Sequence, residues 1–581
     1  MRLFRYAMIA VLIVILAMAI YQTMLWLGAW GNLNDSQVKT LDDGDQEIAL
    51  IEPATSGDEW GRLITALQLL EIDWPKINQA LPRLRVDLDG AFPPLTAEVP
   101  EVAFSFTGST KRKLRLRWYK ISGEHDAGSW VRKLQARPRA PLAIVGGGTS
   151  DRAVRLARRL QDAYPDPALP SPVLLITTAT AEKTKKGYSL INVYQNRSFR
   201  FSFTNQKMVE ALLAFVQHRE YPKEDKEWAQ NLWVNKPFDP QPLTDVRGSG
   251  GIMHAVTGVL PRIAQPLTNV RGSGGVTMHA VTWEDERYSQ DMNALFEGEF
   301  KKRFPKGDFI SEGSISYSVG GFFHPAPQEQ VVVGTFLARP TPITPHSFLV
   351  LPTQTVRMRR FLINLRQRSP LEARNLVILN GDAISFHSVY RDREIIWNIL
   401  DLPYSLVFFS HRNPIDHAAG FTWTRDDQAV SSNAIPQRTT TGTHDILLYR
   451  DLFEAILYAA CDQGKLLGDP LQVRERLQAT CWFSPPLDKG KQDSARVCNP
   501  RVHNLDAPAV RNARFFDADG NRQSHTGEHI VWVKPNFTED RVDLVSKISV
   551  WTTLPDEDGN TWQLVEAAKA TYNQSRLEEA P

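Results

Sequence analysis

Cysteine is almost absent from this chain: there are three in 581 residues, Cys461, Cys481 and Cys498. None stands in a Cys-x-x-Cys pair or beside histidines at ligand spacing, so no structural zinc motif and no metal site is expected. An odd number allows at most one internal disulfide. Cys481 and Cys498 are the closest pair and the candidate disulfide if the compartment is oxidising, with pairing left open. An excess of either charge is missing too, with 67 Lys and Arg against 65 Asp and Glu and a formal net charge of +2. That balance leaves no electrostatic footprint for nucleic acid, which needs a clearly basic face. Catalytic constellations are also lacking. No Ser/His/Asp set, paired carboxylates or metal motif supports an enzyme, and no cofactor is expected.

Long hydrophobic runs are scarce as well, with one exception. In "MRLFRYAMIAVLIVILAMAIYQTMLWLGAW" an apolar run starts at Tyr6 and continues, past Gln22 and Thr23, to Leu27. Its length of roughly 20 residues would cross the hydrocarbon core as a helix. Arg2 and Arg5 before it, and the acidic "NLNDSQVKTLDDGDQE" after it, orient the N-terminus inside and the bulk of the chain outside, in the periplasm. A cleaved signal peptide is the rival reading. However, the small residues of Ala17-Met18-Ala19 lie within the run, not after it, so a retained anchor is expected. No lipobox cysteine lies near, which excludes a lipoprotein. Few residues precede the run, so a sensory output would have to come from another chain.

Beyond the anchor, the length calls for two to four domains. From Ala140 the pattern is regular. "APLAIVGGG" reads as a buried strand. "TSDRAVRLARRLQDAY" reads as an amphipathic helix capped by Thr149 or Ser150, and "SPVLLITTATA" as a second strand. The rhythm returns in "SFLVLPTQ", "TVRMRRFLINLRQR", "RNLVILNGD", "SFHSVYRDREIIWNIL" and "YSLVFFSH". Continuous Val/Ile/Leu/Phe runs between helices predict an α/β fold with parallel sheets. Between the two series stands a near repeat, "QPLTDVRGSGGIMHAVT" from Gln241 and "QPLTNVRGSGGVTMHAVT" from Gln265. Two copies are too few for a solenoid, and the glycines lack the lysine of a phosphate loop. The pair reads as a duplicated surface insertion whose second copy runs into a true strand at "VTMHAVTW".

Five places hold residues able to carry chemistry. "VGGGTSD", Val145 to Asp151, joins glycines to a helix start that favours an anion, though its spacing departs from the dinucleotide fingerprint. Thr177 and Thr178 lie in "ITTATA" at a strand's carboxyl end, where open α/β sheets bind ligands. "WEDERYS" offers Asp285, Tyr288 and Ser289. "LNGDAISF" offers Asp382 and Ser385, and "SHRNPIDH" offers His411, Arg412, Asp416 and His417. For each, an ordinary turn or capped loop is the competing reading.

The order of these pieces resembles the type I periplasmic binding-protein superfamily, the leucine-binding-like receptors of branched-chain amino-acid ABC transporters. The resemblance spans about Ala140 to Pro535. It rests on "APLAIVGGGTSDRAVRLARRL" with "PVLLITTATA", on "YSLINVYQNRSFRFSFTNQKMVEALLAFV", on "AVTWEDERYSQDMNALFEGEFKKRFPKGDFISEGSISYSVG" and on "RFFDADGNRQSHTGEHIVWVKPN". It implies two α/β lobes with parallel sheets that close on a small ligand, together with the N-terminal helix and a small extension. On that reading residues 1–28 are the anchor, 29–58 a linker and 59–138 an N-terminal extension. Residues 139–220 begin lobe 1 and 221–275 are the duplicated, flexible insertion. Residues 276–535 make lobe 2 and return to lobe 1, and 536–581 form a tail. By position the resemblance makes Thr149, Ser150, Thr177, Thr178 and Tyr288 the ligand contacts. It also implies a small-molecule ligand, an amino acid or other carboxylate, and a membrane permease or sensor as partner. Two other readings stand beside it: a structural envelope protein with a non-binding cleft, and a hydrolase using His411 or Asp382.

Overall fold

The structure, a computed structural model, describes residues 38–217 and 276–571 with internal interruptions, the longest at 385–403, 413–442 and 484–500. The expected anchor, the first copy of the repeat and most of the second lie outside the described residues. Among the described residues no helix is long and apolar enough to cross a membrane.

Lobe 1 opens with β1 (Gln46–Pro53), buried from Glu47 to Glu52. Ile48 and Leu50 enter one apolar cluster, Ala49 and Ile51 another. That alternation is what a strand covered by helices on both faces requires. Then come α1 (Gly57–Ile77), β2 (Leu84–Asp87), β3 (Glu101–Phe106), β4 (Leu114–Ile121), α2 (Ala127–Gln135), β5 (Ala143–Gly146), α3 (Ser150–Ala163), β6 (Val173–Ile176) and β7 (Ser198–Arg200). The spatial order is β2-β3-β4-β1-β5-β6-β7. From β4 to β7 the strands are parallel, and β2 and β3 add an antiparallel edge. The strand order therefore turns back between β1 and β5.

The chain crosses to lobe 2 at Phe201–Thr204. α4 (Asn205–Gln217) buries Met208, Leu212 and Phe215 among the strands of the second sheet. There follow β8 (Thr277–Trp283), α5 (Arg287–Arg303), β9 (Asp308–Ile315), α6 (Pro327–Leu337), β10 (Ser347–Val350), α7 (Thr355–Arg368), β11 (Leu376–Asn380) and β12 (Ser405–Ser410). The chain then returns to lobe 1 with α8 (Thr443–Ala460), whose Leu452 and Ile456 share a core with Leu63 and Leu67 of α1. Next come β13 (Cys461–Asp462), β14 (Lys465–Leu466) and α9 (Pro470–Gln478), then a small sheet of β15 (Cys481–Phe483), β16 (Arg501–His503) and β17 (Ala513–Arg514). Finally β18 (His529–Phe537), β19 (Val542–Leu554) and β20 (Thr561–Thr571) rejoin lobe 2. Its sheet runs β20-β19-β18-β12-β11-β10-β8-β9, with β9 to β12 parallel and the last three strands antiparallel. Here the order turns back between β8 and β10.

The two α/β sheets match the expected class, and "TMHAVTW" is a strand as read. Four expected segments are corrected. The linker at 29–58 contains β1, the inner strand of lobe 1, and the extension at 59–138 supplies α1, α2 and β2 to β4 of the same lobe. The acidic flanks that mimic a solvated linker are buried ion-pair partners. Glu47 accepts from Arg117 at 2.9 Å and from Arg137 at 3.0 Å, and Asp45 from Arg115 at 2.6 Å. The tail at 536–581 supplies β19 and β20, with Trp551 buried against Phe215. Lobe 1's first passage ends at Thr204, short of the expected 220, because α4 packs on lobe 2. Cys481 is disulfide-bonded and Cys461 is free, while the candidate partner Cys498 lies outside the described residues.

Candidate functional site

The carboxyl ends of both sheets converge on the segments that pass between the lobes. Leaving β7, Arg200 donates to the carbonyls of Thr180 and Ala181 after β6, and the Ser202 hydroxyl donates to Ala179 O. From lobe 2, His411 after β12 stacks on Phe203 at 5.8 Å, and its Nδ1 accepts from the Phe203 N–H. The same ring places Nε2 2.8 Å from Asp382 Oδ2, after β11. An acceptor role at Nδ1 and a carboxylate at Nε2 together require the neutral tautomer with its proton on Nε2. From the final crossing, Arg522 donates to Phe201 O at 3.1 Å and lies 4.3 Å over the Phe203 ring. Burial, more than any charge, pushes its guanidinium down to about 9. Phe201–Thr204, Ser410–Arg412 and Phe515–Gln523 are thus packed into one junction.

In lobe 1 the crevice lies between β1 and β5. Gly146 is packed against Leu156 and the Ile51 carbonyl, and Gly147 has φ 87° with Ala153 behind it, so both need glycine for the turn into α3. Thr149 caps α3, its Oγ1 accepting from Arg152 N at 3.4 Å. Thr178 donates to Gly148 O at 3.1 Å, and Ser150 Oγ accepts from Ala181 N at 3.2 Å. Thr177 is buried beside them. The Gly148 N–H, which would receive a ligand carboxylate, is already taken by the chain: it donates to Glu52 Oε1 at 2.8 Å. Glu52 is wholly buried, and the Arg152 guanidinium stands 3.7 Å from its Oε2. A carboxylate oxygen of Glu59, on α1, reaches the same glycine, while Tyr449 on α8 donates to the other at 2.7 Å. Burial and then the Glu59 charge push the Glu52 carboxyl up to about 7, against the pull of the Gly148 amide and Arg152.

No protein-family model matches the chain, and no curated protein does. Solved structures do. The chain is similar to an ABC transporter substrate-binding protein from Desulfitobacterium hafniense, with 13% identity, 86% of this chain and 98% of that one covered, and a TM-score of 0.42. A leucine-binding protein from Thermotoga maritima shares 12% identity over 90% of this chain and 98% of its own, at TM-score 0.41. A fatty acid ABC transporter substrate-binding protein from Thermomonospora curvata shares 10% over 94% and 96%, at TM-score 0.40. These are substrate-binding proteins of the kind that the motif order resembles.

In lobe 2 the crevice lies between β8 and β10. Arg357 forks onto Asp285 at 2.7 and 2.9 Å and reaches Glu286 at 3.0 Å. Thr353 donates to Glu286 at 2.8 Å. Tyr288, at the start of α5, has its hydroxyl against Gly381 and its ring against the apolar core. Burial, then the Asp382 charge, push that phenol well above its ordinary range. Of the residues expected at the site, Thr149, Ser150, Thr177 and Thr178 gather around Gly148. Tyr288 belongs to the other lobe, on a helix in contact with α3. Asp382 and His411 meet at the junction, whereas Ser385, Asp416 and His417 lie outside the described residues. Glu52 was missed because its segment reads as linker, and Glu59 because the extension that it opens reads as a helix without a function; the signal was a strand-like "IALI" a few residues before a helix start.

Proposed function

We propose that this chain is an extracytoplasmic, two-lobed receptor for a small ligand, held to the membrane by its N-terminal apolar segment and serving transport or sensing with a membrane partner. The observation that supports the reading is the reversal of strand order in each lobe, between β1 and β5 and between β8 and β10. Open parallel sheets bind ligands where their strand order turns back, and the helices that follow those two points, α3 and α5, are in contact. The donors and acceptors around Gly148, Asp285 and Asp382 are polar contacts of the kind that orient a ligand in an otherwise apolar fold. A hydrolase using His411 and Asp382 has no support from this arrangement, since His411 Nδ1 is committed to the Phe203 amide.

A second reading is a structural envelope protein with a non-binding cleft. It is favoured by the saturation of lobe 1: Gly148 N–H, Ser150 and Thr178 are bonded to the chain's own groups. A thermal-shift screen of the full chain in detergent, against amines, amino acids, carboxylates, small amides and sugars, separates the two. A ligand that binds only the folded form raises the midpoint in proportion to the logarithm of its concentration. A receptor gives at least one such response, and a midpoint unmoved throughout the screen sinks the receptor reading. Mass spectrometry of the purified protein tests the anchor, since a chain starting just after Ala19 would be a released, soluble protein.

A further inference from the structure

Resting on the membrane-anchored reading, we propose that the exposed face of α2 and α3 is a docking surface for the anionic phospholipid headgroups of the bilayer that holds the N-terminal segment. The two helices pack side by side on one face of the lobe-1 sheet. Trp130, Val131 and Leu134 of α2 and Ala153, Leu156 and Leu160 of α3 fill the same apolar cluster. What they leave outside is basic. The exposed stripe of α3 carries Arg155, Arg158 and Arg159 at three- and four-residue spacing, so their guanidinium groups share one side of the helix. On α2, exposed Arg132 stands next to Lys133, whose ammonium lies 4.9 Å over the Trp130 ring. The acids on these helices are Asp126, Asp151 and Asp162. Asp126 caps α2 and stands 3.8 Å from Arg159, while Asp151 and Asp162 lie in the first and last turns of α3. Among the described residues Arg132, Arg155 and Arg158 form no ion pair. Like charges at this spacing repel one another along a helix, and a layer of phosphates relieves that repulsion with charge-assisted hydrogen bonds.

The chain enters lobe 1 beside this layer. Val38 packs against the same apolar cluster, and the carbonyls of Lys39 and Thr40 accept from Arg117. The acids that follow would repel a phosphate surface, but the protein neutralises them itself. Asp42 pairs with Arg115 at 2.7 Å, Asp43 with Arg139 at 2.8 Å and Asp45 with Arg115 at 2.6 Å. The segment from Val38 to Asp45 is thus a strap fixed on lobe 1. Only residues 28–37 separate it from the apolar run, and even fully extended they span at most about 35 Å. That length keeps α2 and α3 within reach of the headgroups, where attraction of Lys and Arg acts over a Debye length, about 8 Å at physiological salt. The formal net charge of +2 hides this face, because the compensating acids lie elsewhere in the chain.

The test uses the full chain inserted in nanodiscs of phosphatidylcholine alone or with about one third phosphatidylglycerol. Phenylglyoxal modifies exposed arginines, and mass spectrometry reads the rate at each one. Arg132, Arg155 and Arg158 should react about fivefold more slowly in the anionic discs and regain their rate at roughly 0.5 M salt, while exposed Arg366 on α7 reacts alike in both. Arg155→Glu combined with Arg158→Glu changes only exposed positions, so it should leave the circular dichroism unchanged and abolish the slowing at Arg132. Should that variant fail to fold, the footprint of the native chain decides alone. Equal rates at the three arginines in the two kinds of disc, or slowing at Arg366 as great as theirs, overturn the inference and leave the anchor standing. Slowing at Arg132 that survives in the double variant overturns it too. A chain that does not enter the discs removes the anchor, and the inference falls with it.

Discussion

Glu52 shows how one side chain alters a pH profile. Its carboxyl rises from 4.5 to about 7 on folding, because burial and the Glu59 charge oppose ionisation. The unfolded chain ionises this group first, so the folded state holds the extra proton between those values. Its contribution to stability therefore declines as pH rises from about 4.5 to 7 and is constant above that window. Urea unfolding at several pH values should show a decline that Glu52→Gln removes. Glu101 has the opposite sign. Burial alone would raise it, but Arg117 and Arg115 override this and hold it below the usual range, so its contribution is lost as the solution is acidified through the carboxylate range. Ser150 belongs to this scale as well. Its hydroxyl serves Ala181 N, so Ser150→Ala leaves an amide without its partner and should cost about 1–3 kcal/mol in unfolding free energy. The affinity of a cleft ligand should change little, and a large loss of affinity with unchanged stability would return Ser150 to the ligand's contacts.

At the scale of elements, β1 depends on charges that read, in sequence, as a solvated linker. Glu47 receives Arg117, Arg137 and the Tyr119 hydroxyl, so one carboxylate ties β1 to β4 and to the segment after α2. Glu47→Ala leaves those guanidinium groups short of a partner in the interior, and breaking a buried pair from one side costs about 3–5 kcal/mol. A urea midpoint within error of the native protein would show that water or Glu101 replaces the lost carboxylate. The same contacts explain what the sequence made legible. Strands such as "LAIVG" and "NLVILN" are apolar on both faces and are flanked by capped or amphipathic helices, so periodicity finds them. β1 has only four apolar residues between Glu47 and Glu52, and nothing local reveals that Arg115, Arg117 and Arg137, about 70 to 90 residues away in sequence, will neutralise Asp45 and Glu47. The glycine turn and its hydroxyls were legible at the site because their spacing is local. The acid that fills the turn was not, because it arrives from a strand 96 residues earlier.

At the scale of the molecule, segments of the crossings between the lobes meet, among the described residues, at the junction of Phe203, His411 and Arg522. Arg522 is fully buried between Phe203 at 4.3 Å and Phe515 at 5.0 Å, and it donates to Phe201 O, so its guanidinium touches the first and the last crossing together. Asp451, in lobe 1, and Glu528, at the start of β18, supply the opposing charge, with Arg412 a like charge beside them. A planar group bonded at its edge and stacked on its faces resists shear between the segments while leaving rotation about them less hindered, which is what a hinge between two rigid lobes needs. Arg522→Met keeps much of the volume and removes the fork and the charge. It leaves two acidic groups facing a thioether, so the cost should be about 3 kcal/mol or more in unfolding free energy. The lobes should also lose their fixed relation. Small-angle scattering of the variant below its unfolding transition should give a larger radius of gyration than the native protein, with unchanged far-ultraviolet circular dichroism. An unaltered radius alongside a lowered melting point would make Arg522 a core residue of the crossing and leave the setting of the lobes to His411 and its bond with the Phe203 amide.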